Sequence, residues 1–140
     1  MPENVQTIYV GSRRHVYVTV TWPTGQTADA VIDTGASVTV VDERFAAHHP
    51  TLFTHDSMSE GTDSSGTVMQ TPMVQMAAVR MLGAEFRASV AAVVDLSAAN
   101  ATIERKMDLI LGWPILSQGT FVIDHDLQLA SYRPGAPSVS

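Results

Sequence analysis

The stretch from Ala30 to Val41 reads AVIDTGASVTVV and sets an acid and a glycine inside one of the most apolar runs of a 140-residue chain. A carboxylate left unpaired in an apolar interior is costly. Asp33 must therefore either cap a turn at the surface or sit where its chemistry justifies the cost. The residues on both sides are apolar and β-branched, which favours strand on each flank. Gly35 supplies the conformational freedom for a tight turn between them. The local reading is strand, turn, strand, with the acid at the bend.

Short alternating segments dominate elsewhere. From His15 to Trp22, Val16, Val18 and Val20 share one face and Tyr17, Thr19 and Thr21 the other, the period-two signature of a strand. Pro23-Thr24-Gly25 reads as a turn, and Thr27 to Ile32 as the returning strand. Asp42 to Ala47 reads as a short helix with Asp42 as N-cap and Pro50 beyond its end. Residues 55–66, HDSMSEGTDSSG, are polar and turn-rich and lie between β-prone flanks, as part of a long hairpin would. Thr67 to Arg80 and Glu85 to Val94 read as strands joined around Leu82-Gly83-Ala84, followed by a surface loop from Ser97 to Lys106 with a helical turn. Leu109 to Gly112 is a second buried run. Pro114 then suits a first helical turn and Gly119 a stop. Thr120 to Ile123 and Leu127 to Tyr132 make a last hairpin around Asp124-His125-Asp126. These elements predict an all-β fold with one or two short helices. The length suits one domain over 1–140, with its core at about 15–133 and residues 134–140 as a disordered tail.

Several function classes are excluded. The net charge is −6 and the few basic residues are scattered, which argues against a nucleic-acid surface. Without cysteine there is no disulfide, no thiolate zinc site and no cysteine nucleophile. His48, His49 and His55 match no zinc-ligand spacing, so no metal and no cofactor is expected. Ser37 has no evident base, Asn100-Ala101-Thr102 is an uninformative sequon, and Asp124, His125 and Asp126 suit a turn. Phe45, Trp113 and the methionines at 69, 73, 76 and 81 read as core or cleft wall. The start carries no signal-peptide pattern and no run is long enough to span a membrane, so a complete chain would be expected in the cytoplasm.

Asp-Thr-Gly alone is an ordinary turn triplet. Its context is more specific: an apolar lead-in, Ala36-Ser37 and a β-branched run after it, and Leu109-Ile110-Leu111-Gly112 about 75 residues downstream. In this order and spacing the chain resembles the retropepsin-like aspartic proteases, over roughly Val16 to Tyr132. Ile110-Leu111-Gly112-Trp113-Pro114 looks more like the bacterial members than the viral ones. The resemblance implies a closed, mostly antiparallel β barrel as a single-lobe protomer. It also implies an aspartic endopeptidase that hydrolyses a peptide bond with water activated between two carboxylates. Two such charges about 3 Å apart cannot both persist, so the pair shares one proton.

The chain carries only one Asp-Thr-Gly, so a monomer would hold half a site and a homodimer would bring Asp33 against its own copy. Thr34, Gly35, Ala36 and Ser37 are then the expected supports of the acid. Leu109, Ile110, Leu111 and Gly112 are the expected floor. Gly61, Thr62, Asp63, Ser64, Ser65 and Gly66 are the expected flap over an extended polypeptide substrate, although they match neither a glycine-rich nor a tyrosine-bearing flap. The rival expectation is a catalytically silent peptide-binding or assembly module on the same fold.

Overall fold

The computed structural model describes residues 4–62 and 68–135. In chain order the strands and helices are β1 (Val5–Thr7), β2 (Tyr9–Val10), β3 (Val16–Thr21), β4 (Thr27–Ile32), β5 (Thr39–Asp42), α1 (Glu43–His48), β6 (Phe53–Thr62), β7 (Val68–Met76), β8 (Val79–Met81), β9 (Ala84–Phe86), β10 (Ser89–Val94), α2 (Ser97–Asn100), β11 (Leu109–Leu111), α3 (Trp113–Leu116), β12 (Gly119–Asp124) and β13 (Leu129–Pro134). The chain is mostly β, and its large sheet curls into a half-barrel.

That sheet runs β6-β7-β10-β5-β11-β4-β3-β8-β9, with β2 beside β3. Most neighbours are antiparallel, but β11 runs parallel to β4 and β10 parallel to β5. A second, three-stranded sheet has the order β1-β13-β12. Val5–Thr7, ahead of the core expected from residue 15, pairs with β13 through Val5↔Ser131 and Thr7↔Leu129. Its sequence is too short and too polar to announce a strand. Tertiary pairing makes it one.

The period-two reading of β3 holds with one modification. Val16, Val18 and Val20 are buried in the main core, while Tyr17 is buried on the opposite face in a smaller cluster with Val31, Leu96 and Met107. Trp22 packs in the main core against Phe45 and Phe53 at centroid distances of 5.9 and 5.6 Å. Phe86 of β9, Phe121 of β12 and Tyr132 of β13 form a second aromatic triangle, with centroids 4.6–5.8 Å apart, that fastens the small sheet to the large one. A buried side chain of this size contributes roughly 1.5–3 kcal/mol. The β8–β9 hairpin turns through Leu82 and Gly83, both at positive φ, as a two-residue hairpin requires.

The helix at α1 departs from its expected cap. Asp42 occupies the N-cap position but makes no side-chain cap bond. Its Oδ1 instead accepts from the Leu96 N–H at 3.0 Å, tying β5 to the end of β10. The long loop after α2 is also tied down. Arg105 bridges to Asp29 at 2.8 Å and lies over the rings of Tyr9 and Tyr17 at 5.1 and 5.5 Å. Next to it, the Glu104 carboxylate accepts from the Ser12 N–H (2.7 Å), the Ser12 hydroxyl (2.9 Å) and the Tyr9 hydroxyl (3.1 Å).

These donors, the Ser12 N–H foremost, hold the Glu104 carboxyl down at about 2. A depressed acid stabilises the fold fully above its unfolded value and loses that contribution as pH falls through the folded one. Glu104→Gln is therefore expected to loosen the 9–12 segment at neutral pH and to make little difference near pH 2. Amide exchange at Ser12 in both proteins at both pH values checks this.

Candidate active site

The site is built where β11 is threaded between β4 and β5. Leu109, Ile110 and Leu111 pair in parallel with Ala30, Val31 and Ile32, and on the other side Leu109 and Ile110 pair antiparallel with Val41 and Val40. Among the described residues β4 and β5 have no ladder with each other; each is held by β11. The connection between them, residues 33–38, is consequently pushed out as a loop, and Asp33 stands at its start.

Backbone bonds fix that loop. The Asp33 N–H donates to the Leu111 carbonyl at 3.1 Å, and the Ala36 N–H to the Asp33 carbonyl at 3.2 Å. The Gly35 N–H donates to Asp33 Oδ1 at 2.9 Å, which orients the carboxylate. From the far end of β11, the Trp113 N–H donates to the Ala36 carbonyl at 2.9 Å. Gly112 lies in between, where a side chain cannot fit: a Cβ there would sit 2.5 Å from the Val38 carbonyl oxygen and 2.9 Å from that of Ala36. The Gly112 N–H is satisfied by Thr39 Oγ1 at 3.2 Å, and Thr39 is fully buried.

The expected residues fall into two layers. Asp33, Thr34, Gly35 and Ser37 are exposed on the single chain, and Ala36 is half-buried. Leu109, Leu111 and Gly112 lie buried beneath them, and Ile110 is half-buried. The opening tension of the sequence resolves here: the acid leaves the apolar run at the end of β4 and faces outward. The β6–β7 hairpin pairs continuously from Phe53↔Met76 to Thr62↔Val68, with one irregularity between His55 and Ser57. Gly61 and Thr62 end its first strand, and Asp63, Ser64, Ser65 and Gly66 lie outside the described residues.

Beside Thr34 an open groove of about 310 Å³ runs between Ile32, Leu116, Phe121 and Ile123. Trp113 also lines it and is 64% exposed, so of the two expected places, core or cleft wall, the ring takes the second. The reason is local. α3 starts with Trp113 and Pro114 directly after Gly112, and the short helix turns Ile115 and Leu116 inward, leaving the Trp113 ring outside. Met76 and Met81 are core residues as expected. The Leu127 N–H closes the turn after β12 on Asp124 Oδ1 at 3.0 Å. Among the described residues no cluster of His, Asp and Glu could hold a metal ion, and no helix is long and apolar enough to cross a membrane.

The aspartyl protease family profile matches residues 17–115, which take in β4, the Asp33 loop, β5 and β11. The chain belongs to that family. A retropepsin-like aspartic protease from Rickettsia conorii shares the fold, with a TM-score of 0.59 over 94% of this chain and 93% of that one at 18% identity. The retroviral protease-like domain of Ddi1 from Leishmania major aligns with a TM-score of 0.49 over 86% of this chain and 91% of that one, at 20% identity. No curated protein matches the chain.

Two residues of this protease fold escaped the sequence reading. Thr39 looked like one more β-branched strand residue, and its hydroxyl turns out to serve the backbone of Gly112. Asp108 marks the point where β11 enters. Its Oδ2 accepts from the Asp29 N–H at 3.0 Å, its N–H donates to the Asp29 carbonyl at 2.9 Å, and its carbonyl accepts from the Asp42 N–H at 2.8 Å. Burial, and then the charges of Asp29 and Asp42, push its carboxyl up. An acid directly ahead of Leu109-Ile110-Leu111 was the visible signal.

Two substitutions test this layer. Gly112→Ala is expected to cost about 1–3 kcal/mol through overpacking. Thr39→Val, nearly isosteric, strands the Gly112 N–H and is expected to cost about 1–3 kcal/mol, while Thr39→Ser costs less. Urea unfolding midpoints measure all three. A Val variant as stable as the parent would show that the hydroxyl is idle.

Proposed function

We propose that the protein is an aspartic endopeptidase whose site is completed by a second copy of the chain. The observation that carries this reading is the placement of the single Asp-Thr-Gly. Asp33 projects outward from a loop that β11 holds rigid, and its carboxylate is already aimed by Gly35. A carboxylate so fixed, facing its own copy across a two-fold axis, gives the pair that peptide hydrolysis needs. The ionised member takes a proton from water. The protonated member donates a hydrogen bond to the scissile carbonyl. Because the two acids share a proton, neither carries the whole task, and geometry rather than an external base sets the reactivity.

Thr34 and Gly35 flank the pair in this scheme, Thr34 through hydrogen bonds across the axis and Gly35 through its N–H. Ala36 and Ser37 line the floor beside them. The β6–β7 hairpin is the flap, and an extended polypeptide lies beneath it as an added strand. The same surface without turnover would make a peptide-binding module, and one experiment separates the two.

Asp33→Asn removes the ionisable group and keeps the shape. It is expected to lower hydrolysis of a mixed peptide library by about 10²–10⁴-fold or more, with sedimentation unchanged. Undiminished cleavage by the Asn protein would reject Asp33 as the catalytic acid. A wild-type chain that binds peptides and leaves them intact from acidic to neutral pH would point to the module instead.

A further inference from the structure

Another cavity lies at the opposite end of β11 from Asp33, and the proposed chemistry leaves it unused. It holds about 350 Å³, and its polar lining is Asp42, Arg44, Ser97, Asn100, Lys106 and Asp108. Asp42 closes β5 and Asp108 stands directly ahead of β11. Arg44 comes from α1, and the 97–106 loop supplies the rest of the wall. That loop is fastened in place. The Asn100 side-chain amide donates to the Met107 carbonyl at 3.1 Å and accepts from the Met107 N–H at 3.0 Å.

The lining carries charges of both signs that do not cancel in place. Among the described residues the one ion pair joins Arg105 to Asp29, so Arg44 and Lys106 have no carboxylate at close range although Asp42 and Asp108 line the same space. Each acid has one oxygen engaged by backbone: Asp42 Oδ1 accepts from the Leu96 N–H and Asp108 Oδ2 from the Asp29 N–H, both at 3.0 Å. Among the described residues the second oxygen of each accepts nothing. Burial pushes the half-buried Asp108 carboxyl up and the charges of Asp29 and Asp42 push it further, while the Asp29 N–H and His49 work the other way. A simple anion entering here meets two acids, and a simple cation meets two bases. A small molecule that carries an ammonium and a carboxylate together meets a partner for each.

We propose that this cavity binds a small zwitterion, a free α-amino acid or a dipeptide, with its carboxylate on Arg44 and Lys106 and its ammonium on Asp42 and Asp108. The volume suits a ligand of that size. Guanidinium and ammonium donors make strong, charge-assisted bonds to a carboxylate. The inference stands apart from the reading of Asp33, since it needs neither cleavage nor pairing. Its place gives it a structural consequence. The Asp108 N–H donates to the Asp29 carbonyl and the Asp108 carbonyl accepts from the Asp42 N–H, so the ligand closes over the point where β11 enters. A ligand bound only by the folded chain stabilises it by mass action.

Amide chemical shifts of the intact chain, followed by NMR during titration, test the proposal. The probes are L-asparagine and glycylglycine, with N-acetylglycine as the carboxylate-only control and glycinamide as the ammonium-only control. At least one zwitterion is expected to give shifts that saturate below tens of millimolar and map to residues 42–44, 97–101 and 106–108. Saturation by asparagine alone assigns the site to a free amino acid, and by glycylglycine alone to a dipeptide; either supports the proposal. Both controls are expected to bind about 10-fold more weakly or worse, since each forfeits one charged contact. Arg44 and Lys106 are exposed, so Arg44→Gln and Lys106→Gln leave the core intact. Each is expected to weaken the zwitterion by about 10-fold. Asp108→Asn keeps an acceptor for the Asp29 N–H, removes the charge, and is expected to weaken glycinamide and the zwitterion alike. Shifts that never saturate would overturn the proposal. A control that binds as tightly as the zwitterion, or unaltered affinity in both Gln proteins, would do the same.

Discussion

Three residues, Leu109 to Leu111, hold apart the two strands that flank Asp33. Because β4 and β5 bond to β11 and not to each other, the loop between them has nowhere to go but outward. The carbonyl of Leu111 receives the Asp33 N–H, and the loop's own Ala36 carbonyl receives the Trp113 N–H. The backbone of the acid is thus fixed by a segment some 75 residues away in sequence. Closing so long a loop has an entropic cost that only a formed core offsets. The local Asp-Thr-Gly turn therefore cannot reach its final geometry ahead of the rest of the domain.

That dependence explains what could be read in advance. The β3–β4 hairpin, α1, α3 and the last hairpin were legible because they rest on local signals: alternation, a proline at a helix start, glycine at a turn. Thr27–Ile32 was readable to its ends. The layer around the site was legible as residue types, since an acid amid apolar residues is conspicuous, and so is an apolar run closed by glycine. What sequence could not display was which partner each polar group would find. Asp42 had every mark of an N-cap, and its side chain serves Leu96 instead. Thr39 had the mark of a strand filler, and its hydroxyl satisfies Gly112. Both partners lie far along the chain, and nothing local distinguishes a hydroxyl that is needed from one that is merely β-branched. Trp113 was legible only as core or cleft wall; in a short helix with proline in its first turn only one side can face the core, and the ring is left at the groove.

The site is layered in a way that separates its burdens. Gly112 allows backbone to approach backbone where no side chain fits, and Thr39 pays the hydrogen-bond debt of that approach. Both are structural and buried. Asp33 and Thr34 carry no such duty: they are exposed, and beyond the turn itself the fold asks nothing of their side chains. A carboxylate at the end of a buried strand therefore brings no desolvation cost in the single chain. On the proposed reading, the cost of bringing it near another acid falls on association.

A shared site, on the proposed reading, couples catalysis to assembly. On the proposed reading, each chain folds with its half-site already shaped, because the bonds that shape it are intramolecular. Activity then follows the fraction of paired chains, which mass action and salt control. The charge of each chain, −6, opposes pairing and so holds the half-sites apart when the protein is dilute. Substitutions in the β11 layer would change the fold and its activity together. The geometry in hand gives the first half of that arrangement: the loop that carries the acid is anchored from beneath by its own chain, and its upper face is exposed.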